Sequence, residues 1–377
     1  MPKKSDSTLR IVMVGDVIIT EAIDPEIAFG NALPILQNGD ITLANVEGVI
    51  CDESVSSLPG KTESGSGGHV RMPSGPIEKI LKFANVDAVS TANNHTMDYG
   101  EEGLIQTLNA LDKAKIPHAG SGMNIDEAHK PVYLDSKGRK IGFLSYTSCY
   151  VPLTFPAGEN KPGCAVVNAQ TAYEASYNAP YQPGSIPRII SWANPEHLEV
   201  MKEDVRKAKI NSDIVIISWH WGQTARGNAR SLGVPVEIAP CYVTEYQEEM
   251  AHTAIDAGAD IIMGHHPHEP QGIEIYKGKP IFYSLGNFSF GGTAIRSIER
   301  DSCIAQVDID SLGRKRVSIL PIRISSENIP NVLTPRQGKS LIQYYGILSR
   351  KYQTIFKTVG KEVVAKKINT KIEAPVY

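Results

Sequence analysis

Cysteine is scarce in this chain. Five residues in 377 (Cys51, Cys149, Cys164, Cys241 and Cys303) are scattered, odd in number and without a C-x-x-C pair. That excludes a disulfide framework and a zinc knuckle, and fits a reducing compartment with mostly buried thiols. No apolar run is long enough to span a bilayer. The opening MPKKSDSTLR is polar and lacks a signal-peptide core, so a cytoplasmic location without a membrane anchor is expected. Charge of one sign is missing too. With 38 Lys and Arg against 41 Asp and Glu the formal charge is −3, which leaves no electrostatic footprint for nucleic acid. The length corresponds to roughly two or three ordinary domains of about 150 residues, or to one large layered domain.

What is present is a series of apolar runs that each end in a polar cluster. Residues 261–263 are followed by Gly264 and then by His265, His266 and His268, and residues 281–285 end at Gly286-Asn287. Residues 11–14 close on Gly15-Asp16, and residues 41–44 exit through Asn45-Val46-Glu47-Gly48. Residues 86–90 open into Asn93-Asn94-His95-Thr96-Met97-Asp98, and 214–218 deliver Trp219-His220-Trp221. Taken singly, each has a plain explanation: a Gly-Asp pair is usually a turn or helix cap, and an Asn/Asp cluster a capped turn. Their repetition at strand exits, where α/β proteins assemble sites, argues for a shared purpose.

The remainder frames these runs. Residues 52–76 are rich in Gly, Ser and Pro and carry Lys61, His69 and Arg71. The Walker spacing is absent, so this is either a flap over a substrate or a surface insertion. Apolar periodicity predicts helices over 77–83, 101–114, 197–209 and 246–257. Hairpins are expected over 132–146 and 302–323, a surface excursion over 151–195, and a basic helical tail over 340–366.

Carboxylates, imidazoles and an amide oxygen together suit a divalent transition ion such as Mn, Fe or Zn, and none of the cysteines falls in these clusters. Glu47 can bridge two ions about 3.5–4 Å apart, and Asp98 can orient an imidazole through its ring N–H.

The order Gly15-Asp16, Asn45-Val46-Glu47, Asn93-Asn94-His95-Thr96-Met97-Asp98-Tyr99-Gly100, His220-Trp221-Gly222, Gly264-His265-His266-Pro267-His268 and Ser284-Leu285-Gly286-Asn287-Phe288 resembles the bacterial capsule biosynthesis protein CapA family. That family is linked to poly-γ-glutamate synthesis and is similar to the calcineurin-like metallophosphoesterases. The resemblance covers roughly residues 9–325. It implies an α/β fold, a four-layer α/β/β/α sandwich, and residues 326–377 beyond it are expected to form a peripheral helical extension.

Carried over by position, Glu47 would bridge one or two ions. Asn94, His220 and His266 would complete one metal site; Asp16 and His268 would serve the other. His95 would be the acid that protonates a leaving oxygen, positioned by Asp98. Asn45, Lys61, His69, Arg71, His265 and Asn287 are the candidates for contact with substrate. One departure stands out: the family's relatives carry Asp-x-His in the first motif, and here the residues are Asp16-Val17-Ile18. The side served by His268 lacks that ligand.

The implied activity is metal-dependent hydrolysis of a phosphoester by a metal-bound hydroxide. The alternatives are action on γ-glutamyl amide bonds and a non-catalytic polymer-binding role in poly-γ-glutamate synthesis or export. The expected partner is accordingly a small phosphoester or a γ-glutamyl polymer.

Overall fold

The computed structural model describes residues 8–59, 68–150, 154–175, 180–185, 187–232, 241–291 and 297–368. The chain begins in one sheet with β1 (Leu9–Val17), β2 (Ile41–Val46), β3 (Ala88–Ser90) and β4 (His118–Ala119), all parallel. It then builds a second sheet from β5 (Val132–Ser136), β6 (Arg139–Thr147), β7 (Ile214–His220), β8 (Ile261–His265), β9 (Ile273–Tyr276) and β10 (Lys279–Phe282). Afterwards it returns to the first sheet with β11 (Asn287–Ser289), parallel to β1, and with the antiparallel pair β12 (Asp301–Ile309) and β13 (Lys315–Ile324).

Alternation along the strands sets the layers. On β1, Ile11 and Met13 enter the core between the sheets, against Phe143 of β6, Ile216 of β7 and Met263 of β8. Val12 and Val14 face the other way. They join the core that holds Ile77, Ile80 and Leu81 of α1 (Pro76–Phe83) and Leu111 of α2 (Gly100–Ala114). The second sheet repeats the scheme: Leu144, Ile217 and Ile262 share a core with Met201 and Val205 of α3 (Pro195–Ile210) and Met250 and Ala254 of α4 (Glu245–Ala257). Three apolar cores between helix, sheet, sheet and helix make a four-layer α/β/β/α sandwich. Each fully buried aliphatic side chain contributes about 1.5–3 kcal/mol. Strands buried on both faces therefore read as continuous apolar runs.

One strand runs differently from the sequence reading. The apolar run 281–285 is a strand only to Phe282, because the chain leaves the second sheet there. Ser284, Leu285 and Gly286 carry it across, and Asn287 arrives beside Asp16 in the first sheet. The crossing is tight. A Cβ on Gly15 would lie 1.9 Å from the Gly286 carbonyl oxygen, and one on Gly264 would lie 2.1 Å from the Tyr283 carbonyl oxygen. The glycines at these two strand exits let the crossing backbone pass.

The C-terminal part also differs from the expected peripheral helical extension. Among its described residues one α-helix, α5 (Lys339–Leu348), is followed by a single 3-10 turn at Arg350–Tyr352, and α5 buries Leu341 and Tyr345. After it, β14 (Thr354–Val359) and β15 (Glu362–Lys367) form a hairpin, and β15 pairs with β13. Val363 to Ala365 are buried, so the first sheet runs to the end of this hairpin and 326–368 is not an appendage. The lysines concealed the signal: Thr354–Val359 and Glu362–Lys367 are β-branched segments around a Gly360 turn. Among the described residues no helix is long and apolar enough to cross a membrane.

Gly15→Ala should therefore destabilise the fold by about 3 kcal/mol or more, since backbone rather than a flexible side chain fills the space. Gly346→Ala, in α5 with nothing within 4 Å, should raise stability by up to about 1 kcal/mol. Urea denaturation midpoints check both.

Candidate metal centre

The parallel strands end at the same edge of the sandwich, and their exit residues converge there. Asp16 reaches the site through an irregularity in the pairing of β1, where its register with both β2 and β11 shifts. Such bulges re-aim a side chain. Asp16 and Glu47 are both fully buried. Two carboxylates without solvent require cationic or polar compensation, and imidazoles and an amide stand around them.

Around Glu47 stand three imidazoles. Its Oε1 lies 3.5 Å from His220 Nε2, 3.7 Å from His268 Nε2 and 3.8 Å from His95 Nε2. These separations are longer than hydrogen bonds. They are close to the roughly 3–3.5 Å between donor atoms that share one ion at about 2.1 Å. On one side His220 Nε2 is 2.7 Å from Asn94 Oδ1 and 3.1 Å from His266 Nδ1. On the other, Asp16 Oδ2 is 3.3 Å from His268 Nδ1. Two groups can each hold a metal ion, Glu47-His220-His266 and Asp16-Glu47-His268, with ligand atoms within 4.8 Å of one another. They share Glu47. The donor set fits a divalent ion: nitrogen and oxygen lone pairs aimed at common points, which hydrogen bonds among themselves satisfy only in part.

The electrostatics agree with that fit. Burial, and next the neighbouring His266, hold His220 well below the ordinary imidazole range, so its ring is neutral and keeps a lone pair for an ion. Burial would lift Asp16, but the imidazoles of His265 and His268 hold it well below the usual carboxylate range. Burial also opposes a charge on His268, yet the Glu47 and Asp16 carboxylates push it up to about 10. In the metal-free chain a proton on His268 supplies the positive charge that these carboxylates demand.

The backbone around the histidines is strained. His266 has φ 95° and His268 φ 60°, a region that non-glycine residues rarely adopt. Pairs of this kind cost about 1–3 kcal/mol each and persist where the surroundings over-determine them.

His95 and Asp98 lie beside this cluster. His95 Nδ1 is 2.7 Å from Asp98 Oδ2, and the same oxygen accepts the Val70 N–H at 2.6 Å. The loop that carries His69 and Arg71 thus anchors the carboxylate that orients His95.

Five of the expected substrate contacts are otherwise engaged, for reasons of packing. Asn45 is fully buried and donates to Asp16 Oδ1 at 2.8 Å, with His220 Nδ1 3.5 Å from the same amide nitrogen. His265 is also fully buried; its Nδ1 is 3.0 Å from Asp16 Oδ1, although neither ring nitrogen is aligned into a hydrogen bond. His69 Nε2 meets the Leu58 carbonyl oxygen at 2.9 Å, and Arg71 stacks on the Tyr99 ring at 4.3 Å while donating to the Val55 carbonyl oxygen. Asn287 is likewise buried; its Oδ1 lies 2.8 Å from His268 Nδ1, which leaves Nε2 facing Glu47. Lys61 lies outside the described residues. Ile18, at the position of the missing ligand, is 3% exposed and packs into the core on the α1 side.

One group that feels the charge of Glu47 was passed over in the sequence. The exit of β6 carries Cys149, whose thiol is pushed up to about 12, first by burial and then by the charge of Glu47. Its signal was there: residues 141–147 form an apolar run that exits through Ser148-Cys149.

A raised histidine contributes stability that is complete below its ordinary 6.5 and lost as pH rises through about 10. Metal-free protein should therefore lose stability from pH 7 toward 10, with a flatter slope in His268→Gln. Binding Mn²⁺ at pH 8 should release about one proton. Calorimetry in buffers of different ionisation enthalpy measures it; a proton count of zero in wild type contradicts the assignment.

The chain matches the family described as bacterial capsule synthesis protein PGA_cap over residues 10–292. It is 26% identical to the capsule biosynthesis protein CapA of Bacillus anthracis, over 98% of this chain and 78% of that one. It is 29% identical to the PGA biosynthesis protein CapA of Bacillus subtilis, over 85% and 73% respectively. A probable polyglutamine synthesis accessory protein of Mycobacterium tuberculosis is 26% identical, over 79% and 70%. A solved phosphatase from Mycoplasma pneumoniae superposes with a TM-score of 0.46 at 14% identity, over 89% of this chain and 98% of that chain. Both ligand groups and the His95–Asp98 pair fall inside the matched segment, and the chain belongs to this bacterial capsule synthesis family, the CapA family.

Proposed function

We propose that this protein is a metal-dependent hydrolase of capsule or poly-γ-glutamate metabolism that cleaves a phosphoester. The observation that carries the reading is Glu47, buried between two ligand groups with the His95 ring 3.8 Å away. Divalent ions held by those groups would supply Lewis acidity and lower the pKa of a water molecule.

The chain's own residues would do the rest. Asn45 and His265 fix Asp16, and Asn287 fixes His268 with Nε2 toward Glu47. His95 holds a proton at Nε2 for the departing oxygen. Asp98, buried and tied to Val70, keeps the other ring nitrogen protonated and stabilises the imidazolium.

A second reading keeps the same residues and replaces the substrate with a γ-glutamyl amide. The names of the Bacillus subtilis and Mycobacterium tuberculosis relatives, which speak of PGA biosynthesis and polyglutamine synthesis, make a polymer of this kind the substrate to set beside a phosphoester. A leaving amine needs the proton from His95 still more than an alkoxide does.

The test uses Mn²⁺-loaded protein against aryl and alkyl phosphoesters and against poly-γ-glutamate, with products read by mass spectrometry. Turnover should stop with chelator. His95→Ala should lower it about 10²–10⁴-fold for alkyl substrates and less for p-nitrophenyl esters, whose leaving group needs no proton. Phosphoester turnover supports the first reading and shortened polymer the second. No turnover of either by metal-loaded protein sinks both and leaves the polymer-binding role.

A further inference from the structure

The metal cluster occupies the C-terminal ends of β1, β2, β7 and β8, the same edge at which β6 ends. The other ends of these strands are charged quite differently. Where β6 and β7 start, and where β12 turns into β13, a cavity of about 440 Å³ opens, lined by Arg139, Asp213, Asp260 and Lys315 among others. That volume is in the range of small-ligand sites. Along β7 the cavity and His220 are separated by the length of the strand, roughly 20 Å at about 3.3 Å per residue.

The lining itself is balanced, Arg139 and Lys315 against Asp213 and Asp260, and the excess of cations comes from Lys209 and Lys279 packed around Asp260. Asp260 is shared by three ammonium groups: Lys209 Nζ donates to Oδ2 at 2.8 Å, while Lys315 and Lys279 stand 3.4 Å and 3.8 Å from Oδ1. Lys315 is only 14% exposed along its side chain, and Asp260 is its polar partner among the described residues. The Arg139 guanidinium gives one N–H to the Asp310 carbonyl oxygen, which leaves most of its donors for a ligand. Asp213 is occupied, since its Oδ2 accepts the Lys140 N–H at 2.8 Å. The crowding of cations is felt at Lys279, held below its ordinary value first by burial and then by Lys315 and Lys209, against the pull of Asp260. In a chain with a formal charge of −3 this is a local concentration of positive charge.

We propose that this cavity binds a short polycarboxylate segment, with Arg139 taking one carboxylate through its planar fork and Lys315 a neighbouring one. A planar guanidinium beside a half-buried ammonium suits carboxylates in series. The cavity is too large for a single inorganic anion to fill. That the carboxylates belong to a glutamyl polymer rests on the functional reading above; the affinity for a multivalent carboxylate does not.

The probe is a fluorescent penta-γ-glutamate, titrated in chelator so that metal chemistry is silent, at low and at physiological salt. Arg139→Gln and Lys315→Gln should each weaken binding about tenfold or more, and added salt should weaken wild type. Lys207→Gln, on the exposed face of α3, should bind as wild type. In unmodified protein the peptide should slow acetylation of Lys315 but not of Lys207, a readout that does not require either variant to fold. Wild-type affinity in both cavity variants, or an unprotected Lys315 at saturating peptide, overturns the proposal. Displacement of the peptide by inorganic phosphate at a lower concentration than by citrate overturns the carboxylate assignment. Binding that persists without any hydrolytic activity would sink the hydrolase and keep this site; hydrolysis without binding would do the reverse.

Discussion

Two carboxylates, Asp16 and Glu47, sit with no solvent exposure at one end of the sandwich. Removing a charge from water costs far more than any single contact in the fold returns, unless positive charge or aligned dipoles meet it. The neighbourhood is built to that demand. His265 and His268 face Asp16, His220, His268 and His95 face Glu47, and Asn45 donates to Asp16. A proton on His268 satisfies part of the demand, and a divalent ion in either ligand group would satisfy more.

This arrangement depends on bringing two sheets together at their exits. Asp16 and Glu47 come from the first sheet, His220 and the 265–268 turn from the second. Holding them in register is the task of the crossing between β10 and β11, which runs past Gly15 and Gly264 at distances no side chain permits. The positive φ angles of His266 and His268 belong to the same turn. The interlocked crossing and the buried apolar layers supply the rigidity that keeps those strained residues in place. Local strain and close backbone approach thus occur together, and both lie within a few residues of the candidate ligands.

The two ends of the sandwich differ in kind. At the C-terminal ends of the parallel strands negative charge is buried and calls for cations. At the opposite end Lys209, Lys279 and Lys315 crowd one aspartate and call for an anion. With the formal charge close to neutral overall, this polarity is invisible in composition and arises from which residues the strands deliver to which end.

Much of the architecture was legible from the chain alone. Period-two and period-3.6 apolar patterns are local, so the strands at 11–14, 41–44, 214–218 and 261–263 and the four long helices could be placed from neighbouring residues. Turn chemistry is local as well, which is why the 302–323 hairpin was readable. The sequence alone determined that Asp16, Glu47, Asn94, His95, His220, His266 and His268 lie at strand exits. Only the tertiary structure decided which of them face each other. It turned Asn45, Asn287 and His265 from candidate substrate contacts into supports for Asp16 and His268, placed Cys149 where it feels the charge of Glu47, and made strands of a tail whose lysines read as a solvated helix. Those outcomes depend on contacts between residues from 19 to about 250 positions apart, and the crossing that seats them pairs Asp16 with Asn287. A periodicity confined to one segment carries no information about the partner that will lie across from it.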